Sequence, residues 1–335
     1  TGIDVRFSRM TRFDGDGGYS FGAHRWVGMG GLEFGRRNDG LLFRLEGSDQ
    51  IQPFGPNRIE AGAGFLSLIA GQDRQEYLRR SQLSAWFSPV RSDDGEVRLG
   101  AWVRHDRPTP AVTDDHLFGG GTPMERPNPL VEDVERRGLT LVGAGNWRQG
   151  LVVASGSADV AEPGSDGDDD GYSAQEAAVT IRPIVAGGTL SMTLEGRNTA
   201  GSPPVQEEPF LGGDATLRGY DPLEFTGRRR LRMRVEYESG VDILKRAHIP
   251  VLETMRLQFI PFADVGTTWG SGKGVNEETP VVLDGEARAS FGLGIRKELW
   301  IPGVRAIRVD VSRRADGNSD HPVDVWVRLL PYVEW

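Results

Sequence analysis

From residue 230 to 238 the chain alternates strictly. Leu231, Met233, Val235 and Tyr237 are apolar, and Arg230, Arg232, Arg234, Glu236 and Glu238 stand between them. A period of two puts successive side chains on opposite faces of a strand, so this segment has one apolar face and one ionic face. The pattern returns at Leu190, Met192 and Leu194 against Ser191, Thr193 and Glu195, and at Ile307, Val309 and Val311 against Arg308, Asp310 and Ser312. No segment carries a convincing amphipathic helix period. A soluble sandwich also alternates, but it seldom keeps ionic residues on one face of so many long strands. Lipid against one face and a wet, charged lumen against the other account for the pattern directly.

Reading for alternation bounded by Gly, Asp, Asn and Pro clusters predicts sixteen strands, at 3–10, 17–26, 31–37, 40–48, 58–70, 76–88, 95–106, 136–148, 150–160, 172–185, 188–199, 226–239, 253–268, 286–298, 304–313 and 322–335. The poorest alternation is in the fifth, where Ala61 to Gly64 are small. Connection lengths test the scheme, because short periplasmic turns should alternate with longer external loops. Val27–Gly30, Arg148–Gly150, Ala186–Gly187 and Ile301–Val304 read as short turns between even and odd strands, and 107–135, 161–171, 200–225 and 269–285 as long loops at the other end. The longish 240–252 is the exception. The expectation is an all-β chain, with residues 1–335 forming one sixteen-stranded antiparallel transmembrane β-barrel in a bacterial outer membrane. The last strand alternates through Val323, Val325, Val327, Leu329 and Val333 to a terminal Trp335, which resembles an outer-membrane assembly signal.

Composition removes several function classes. No run approaches the roughly 18 apolar residues of a membrane-crossing helix, and a mean hydropathy of −0.39 suits strands that show lipid only every second residue. With no cysteine there is no disulfide, thiolate metal site or thiol nucleophile. A net charge of −9 argues against a nucleic-acid partner. The chain opens Thr1-Gly2-Ile3-Asp4-Val5 without a basic and apolar leader, so any export signal is expected to have been removed or left out.

One long loop narrows the picture. Residues 210–220 read Phe-Leu-Gly-Gly-Asp-Ala-Thr-Leu-Arg-Gly-Tyr, followed by Phe225-Thr226-Gly227 and a strand ending Val235-Glu236-Tyr237; Phe262-Ala263-Asp264-Val265-Gly266 lies downstream. This set resembles the signature of the BamA-type outer-membrane assembly superfamily, the bacterial surface antigen barrels, whose sixth external loop folds back into the barrel on an Arg-Gly-aromatic tip. The resemblance implies that 200–225 plugs the lumen, with Gly212, Gly213, Arg218, Gly219 and Tyr220 shaping the tip. Strand parity puts Glu236 and Asp264 on the lumen face, where they are the natural counter-charges for Arg218. A confined guanidinium needs such partners in fork geometry to offset its desolvation.

The chain departs from the pattern at Glu238, where the family often has arginine, and in starting its first strand at once, without the usual periplasmic POTRA domains. It is expected either to be trimmed or to resemble a barrel-only branch. The implied function is insertion or translocation of proteins or lipids at the outer membrane. Its partners would be membrane lipids and unfolded outer-membrane clients, and the short first strand permits a weak seam.

Other sites were weighed beside this one. Asp166, Asp168 and Asp170 open like a calcium loop, but the closing glutamate belongs at 177, where Ala177 stands and Glu176 is one residue short. A solvated acidic loop is the simpler reading, and no cofactor is expected. Asp115-His116 and His105-Asp106 are the nearest approaches to a catalytic pair, yet neighbours along a strand point apart. A passive solute channel and a histidine-dependent outer-membrane enzyme remain the alternatives to a plugged assembly barrel.

Overall fold

The computed structural model describes residues 2–6, 11–20, 25–35, 41–54, 77–109, 131–163, 170–239, 257–270, 283–301, 304–316 and 323–331. Among these the chain is all strand apart from one turn of 3-10 helix. The strands are β1 (Gly2–Arg6), β2 (Thr11–Ser20), β3 (Arg25–Gly35), β4 (Leu42–Pro53), β5 (Tyr77–Ser92), β6 (Gly95–Pro108), β7 (Val134–Trp147), β8 (Val152–Ala161) and β9 (Tyr172–Ile181). They continue with β10 (Ile184–Val185), β11 (Gly188–Gly201), β12 (Phe210–Leu211), β13 (Phe225–Thr226), β14 (Arg229–Glu238), β15 (Leu257–Trp269), β16 (Arg288–Ile301), β17 (Val304–Arg314) and β18 (Asp324–Pro331).

Sixteen strands form one antiparallel sheet whose order follows the chain. The continuous path has β9 beside β11 and β11 beside β14, with β10 joined to β11 at the side. β10 is in effect the end of β9: Pro183 lacks an N–H and interrupts the strand, while its carbonyl still accepts from Leu190 at 3.0 Å. Among the described residues no pairing joins β1 to β18.

One sequence expectation is corrected here. Val27–Gly30 is not a turn but the middle of β3. Gly30 faces Gly15 and Gly28 faces Gly17 across the β2–β3 ladder, so the glycines that read as punctuation are cross-strand partners. β2 therefore runs at 11–20 rather than 17–26. The expected fifth strand at 58–70 lies outside the described residues; β4 and β5 pair with each other directly, from Leu42↔Ser88 to Pro53↔Tyr77. The sheet's sixteen strands include the short β10.

The connections sort by end. Asp93-Asp94, Arg148–Leu151 and Ala186-Gly187 close hairpins at one end, and the long segments after β4, β6, β8, β11 and β15 leave from the other. The positive φ angles of Arg148 (51°), Gln149 (56°) and Ala186 (49°) mark the tightness of two of these turns.

The two faces of the sheet differ as alternation requires. One carries an exposed apolar band that includes Leu83 (64% exposed), Leu139 (65%), Val160 (57%) and Leu194 (51%). Among the described residues no second layer covers it, and an apolar surface of this extent calls for a partner phase. The opposite face is ionic and holds the loop between β11 and β14. We call it the loop face. The apolar packing of the molecule sits there: Phe54, Leu78, Val131, Val205, Phe210 and Leu223 form one buried cluster, and Leu211, Leu217, Tyr220, Phe225 and Leu283 a second. Both draw their residues mainly from the loop and the long-connection ends.

Candidate functional site

The loop enters from β11 through a 3-10 turn (Val205–Glu207), pairs β12 with β13 as a two-residue ladder, and between them dips to Arg218 before returning to β14. Its shape depends on Gly212. With φ of 124° the position favours glycine, and a Cβ there would stand 2.2 Å from the Asp221 carbonyl oxygen. Thr216 locks the same turn, its hydroxyl donating to Gly212 O at 2.7 Å and accepting from Gly212 N–H at 2.8 Å. Gly213 and Gly219 also have positive φ, 85° and 87°.

Arg218 is fully buried, and its surroundings explain how it is accommodated. Nε and Nη2 donate to the two oxygens of Asp264 at 2.7 and 2.9 Å, the fork geometry of a bidentate pair. Nη1 reaches Glu236 at 2.8 Å and Asp310 at 3.4 Å, and the backbone N–H of Arg218 adds a bond to Asp264 at 3.3 Å. The guanidinium lies 3.4 Å over the ring centroid of Phe262, whose negative π face suits a cation. Burial pulls the pKa of Arg218 down, and Asp264, Glu236 and Asp310 outweigh it, so the side chain stays charged.

The seat extends past the expected pair. Asp264 also accepts from Arg234 at 2.8 Å, Glu236 from Arg308 at 2.7 Å, and Asp310 from Arg308 at 2.7 Å and from Arg328. Four guanidiniums therefore share three carboxylates across β14, β15, β17 and β18. Gly292, the cross-strand partner of Phe262, leaves room for its ring: a Cβ there would fall 2.4 Å from it. Glu238, the departure from the family pattern, bonds Arg296 at 3.0 Å.

Backbone carbonyls tie the loop down along its length. Arg230 donates to Phe210 O at 2.7 Å, Arg234 to Asp214 O at 2.8 Å, Arg314 to Gly219 O at 2.6 Å, and Arg232 to Ala215 O. Tyr220 donates through its hydroxyl to Ala289 O and to Asp316, each at 3.2 Å. Burial, reinforced by Asp316, pushes that phenol up to about 12.

A second anchor sits on the other side of the loop. Glu207 contacts Arg80 at 2.8 Å, Arg104 at 3.0 Å and Arg197 at 3.2 Å. Burial works to raise its carboxyl, but the three guanidiniums prevail and hold it at about 2. The ionic inner positions of β5, β6 and β11 were legible as a face, whereas nothing in local spacing marked Glu207 as their shared partner.

The remaining sequence candidates fall apart from this site. His105 Nε2 lies 2.7 Å from Asp133 on the exposed face, while Asp106 points to the loop face and bonds Arg80, so His105 and Asp106 are separated by the sheet. His116, Val333, Trp335, Asp166 and Asp168 lie outside the described residues. Asp170 is exposed, and among the described residues no three His, Cys, Asp or Glu side chains cluster as metal ligands.

No family model matches the chain, and no curated protein matches it by sequence. Solved structures do. BamA from Haemophilus ducreyi lacking POTRA domains 1–3 superposes with a TM-score of 0.55 at 12% identity, covering 98% of this chain and 69% of that one. The fold is that of a BamA-type barrel. CdiB from Escherichia coli shares it, with a TM-score of 0.52 at 12% identity over 95% of this chain. The chain spans only 56% of the CdiB chain.

Proposed function

We propose that this chain is an outer-membrane barrel of the BamA-type assembly superfamily, with its 200–225 loop plugging the lumen on the loop face. The apolar band faces lipid, the ionic face surrounds an aqueous interior, and the barrel serves protein or lipid insertion or translocation. The observation that supports the reading is the seating of Arg218 among Asp264, Glu236 and Asp310 on the loop face. The client class follows from that resemblance, since likeness of fold at 12% identity speaks to architecture alone.

Reconstitution tests both parts. In planar bilayers the wild type should show little steady conductance, and Arg218→Ala combined with Glu207→Gln, which releases both ends of the loop, should show large openings; a steady open pore in the wild type would favour a passive channel and refute the plug. In vesicles, the inserted protein should speed folding of an urea-denatured outer-membrane barrel client by tenfold or more over empty vesicles. Equal rates would refute the assembly role and leave the plug intact.

A further inference from the structure

On the apolar-band face, where β11, β14 and β15 reach the long-connection end, the structure holds a cavity of about 390 Å³ lined by Asn198 to Gly201, Arg228, Arg229, Trp269 and Gly270. Its volume falls within the range of small-ligand sites. Three of its side chains lie in a row across the ladder, because Arg229 is the register partner of both Asn198 and Trp269. Their direction is fixed by parity: Arg229 shares its face with Leu231 and Met233, which are 43% and 46% exposed.

The chemistry of the lining is specific. Arg229 is exposed and donates through Nε to Asn198 Oδ1 at 3.1 Å, a neutral partner, and among the described residues it meets no carboxylate within ion-pair distance. Arg228 donates to Gly201 O at 2.8 Å, and its stem packs on Gly270, where a Cβ would come within 3.1 Å. Arg228 and Arg229 both line the cavity, and a guanidinium's paired N–H groups suit phosphate oxygens. The Trp269 indole beside them adds a flat apolar wall of the kind that receives a sugar ring.

Position selects the source. Arg229 stands two residues beyond Leu231, roughly 7 Å further along the strand, just where the apolar band ends. Lipid headgroups occupy that level if the band faces hydrocarbon. We infer that this pocket binds a phosphorylated saccharide presented by a glycolipid of the surrounding leaflet, Arg228 and Arg229 taking the phosphate and Trp269 the sugar. The inference rests on the outer-membrane reading for its lipid source, while the site itself rests on the cavity and its lining.

The test is a titration of the folded chain in detergent micelles with lipid A, a bis-phosphorylated glucosamine disaccharide lipid, followed by tryptophan fluorescence and thermal melting. Arg228→Gln/Arg229→Gln should weaken binding tenfold or more, and Arg229→Lys should weaken it less, keeping charge but losing the fork. Arg229 makes no contact with the loop, so the single variant Arg229→Gln should keep the wild type's heat-modifiability and still weaken binding, which separates loss of the site from loss of folding. Undiminished affinity in the double variant would overturn the site. Glucosamine 1-phosphate is the second arm, and an affinity equal to that for lipid A would overturn the lipid source. A protein that binds lipid A in micelles yet fails to insert into phospholipid vesicles would refute the outer-membrane reading and leave the pocket standing.

Discussion

Arg218→Ala has an outcome that can be worked from the charges around it. The substitution removes four hydrogen bonds from the guanidinium and keeps the fifth, from the backbone N–H, only while the tip stays in place. Deleting one member of a buried ion pair commonly costs about 3–5 kcal/mol, mostly because the survivor is stranded. Here the survivors are not stranded. Without Arg218, three guanidiniums (Arg234, Arg308, Arg328) still face three carboxylates (Glu236, Asp264, Asp310), each carboxylate with a partner.

The loss should therefore sit near the lower end, about 3 kcal/mol, and fall on loop docking rather than on the sheet. At about 1.4 kcal/mol per decade that is roughly a hundredfold shift toward the undocked loop. Hydrogen exchange of the 210–226 amides reads it directly: their protection should fall by roughly that factor while β14 and β15 keep theirs. Asp264→Asn is the contrast. It leaves Arg218 and Arg234 without their shared carboxylate, four cations against two anions, so loop and adjoining strands should both lose protection. If Arg218→Ala changes loop protection by less than threefold, or loosens the sheet as much as Asp264→Asn does, the charge-balance argument is wrong.

Three further outcomes follow from particular residues. Glu207 has a folded pKa near 2, below its ordinary 4.5, so its contribution is complete above about pH 4.5 and is lost as pH falls toward 2; amide exchange around 205–211 should rise across that window, and a flat profile would remove Glu207 as an anchor. Gly212→Ala places a Cβ 2.2 Å from the Asp221 carbonyl at a φ of 124°, which should cost the loop about 1–3 kcal/mol and make it sensitive to proteinase K; wild-type resistance would show that the turn adapts. Leu139→Arg sets a charge in the exposed apolar band and should lower stability in lipid vesicles by about 2–4 kcal/mol with little change in detergent, whereas equal stability in both would place Leu139 away from hydrocarbon.

Much of this architecture was legible because alternation is a local property. Arg230 to Glu238 reads the same in the chain and in β14, down to which side chains face the loop. It failed where local signals carry two meanings. Gly28 and Gly30 read as part of a turn, but glycine facing glycine, here Gly17 and Gly15, also suits a ladder, and only cross-strand pairing tells the two apart.

The charged seat shows the same division on a finer scale. That Glu236, Asp264 and Asp310 occupy inner positions follows from parity alone, and the Arg-Gly-Tyr tip pointed to two of them as partners for Arg218. Asp310 lies 92 positions away in sequence and enters only because β14 to β18 stand side by side with their inner residues at one level. Glu207 meets Arg80, Arg104 and Arg197 for the same reason on the other side of the loop. Parity decides which face a charge occupies; its height on the wall, and hence its partner, depends on the register accumulated over successive hairpins. A loop held at two ionic clusters on opposite sides resists release at either one, so undocking it needs both to yield. Hence Arg218→Ala alone should loosen the tip before the 205–211 segment. Lowering the pH of that variant through the Glu207 window should complete the release.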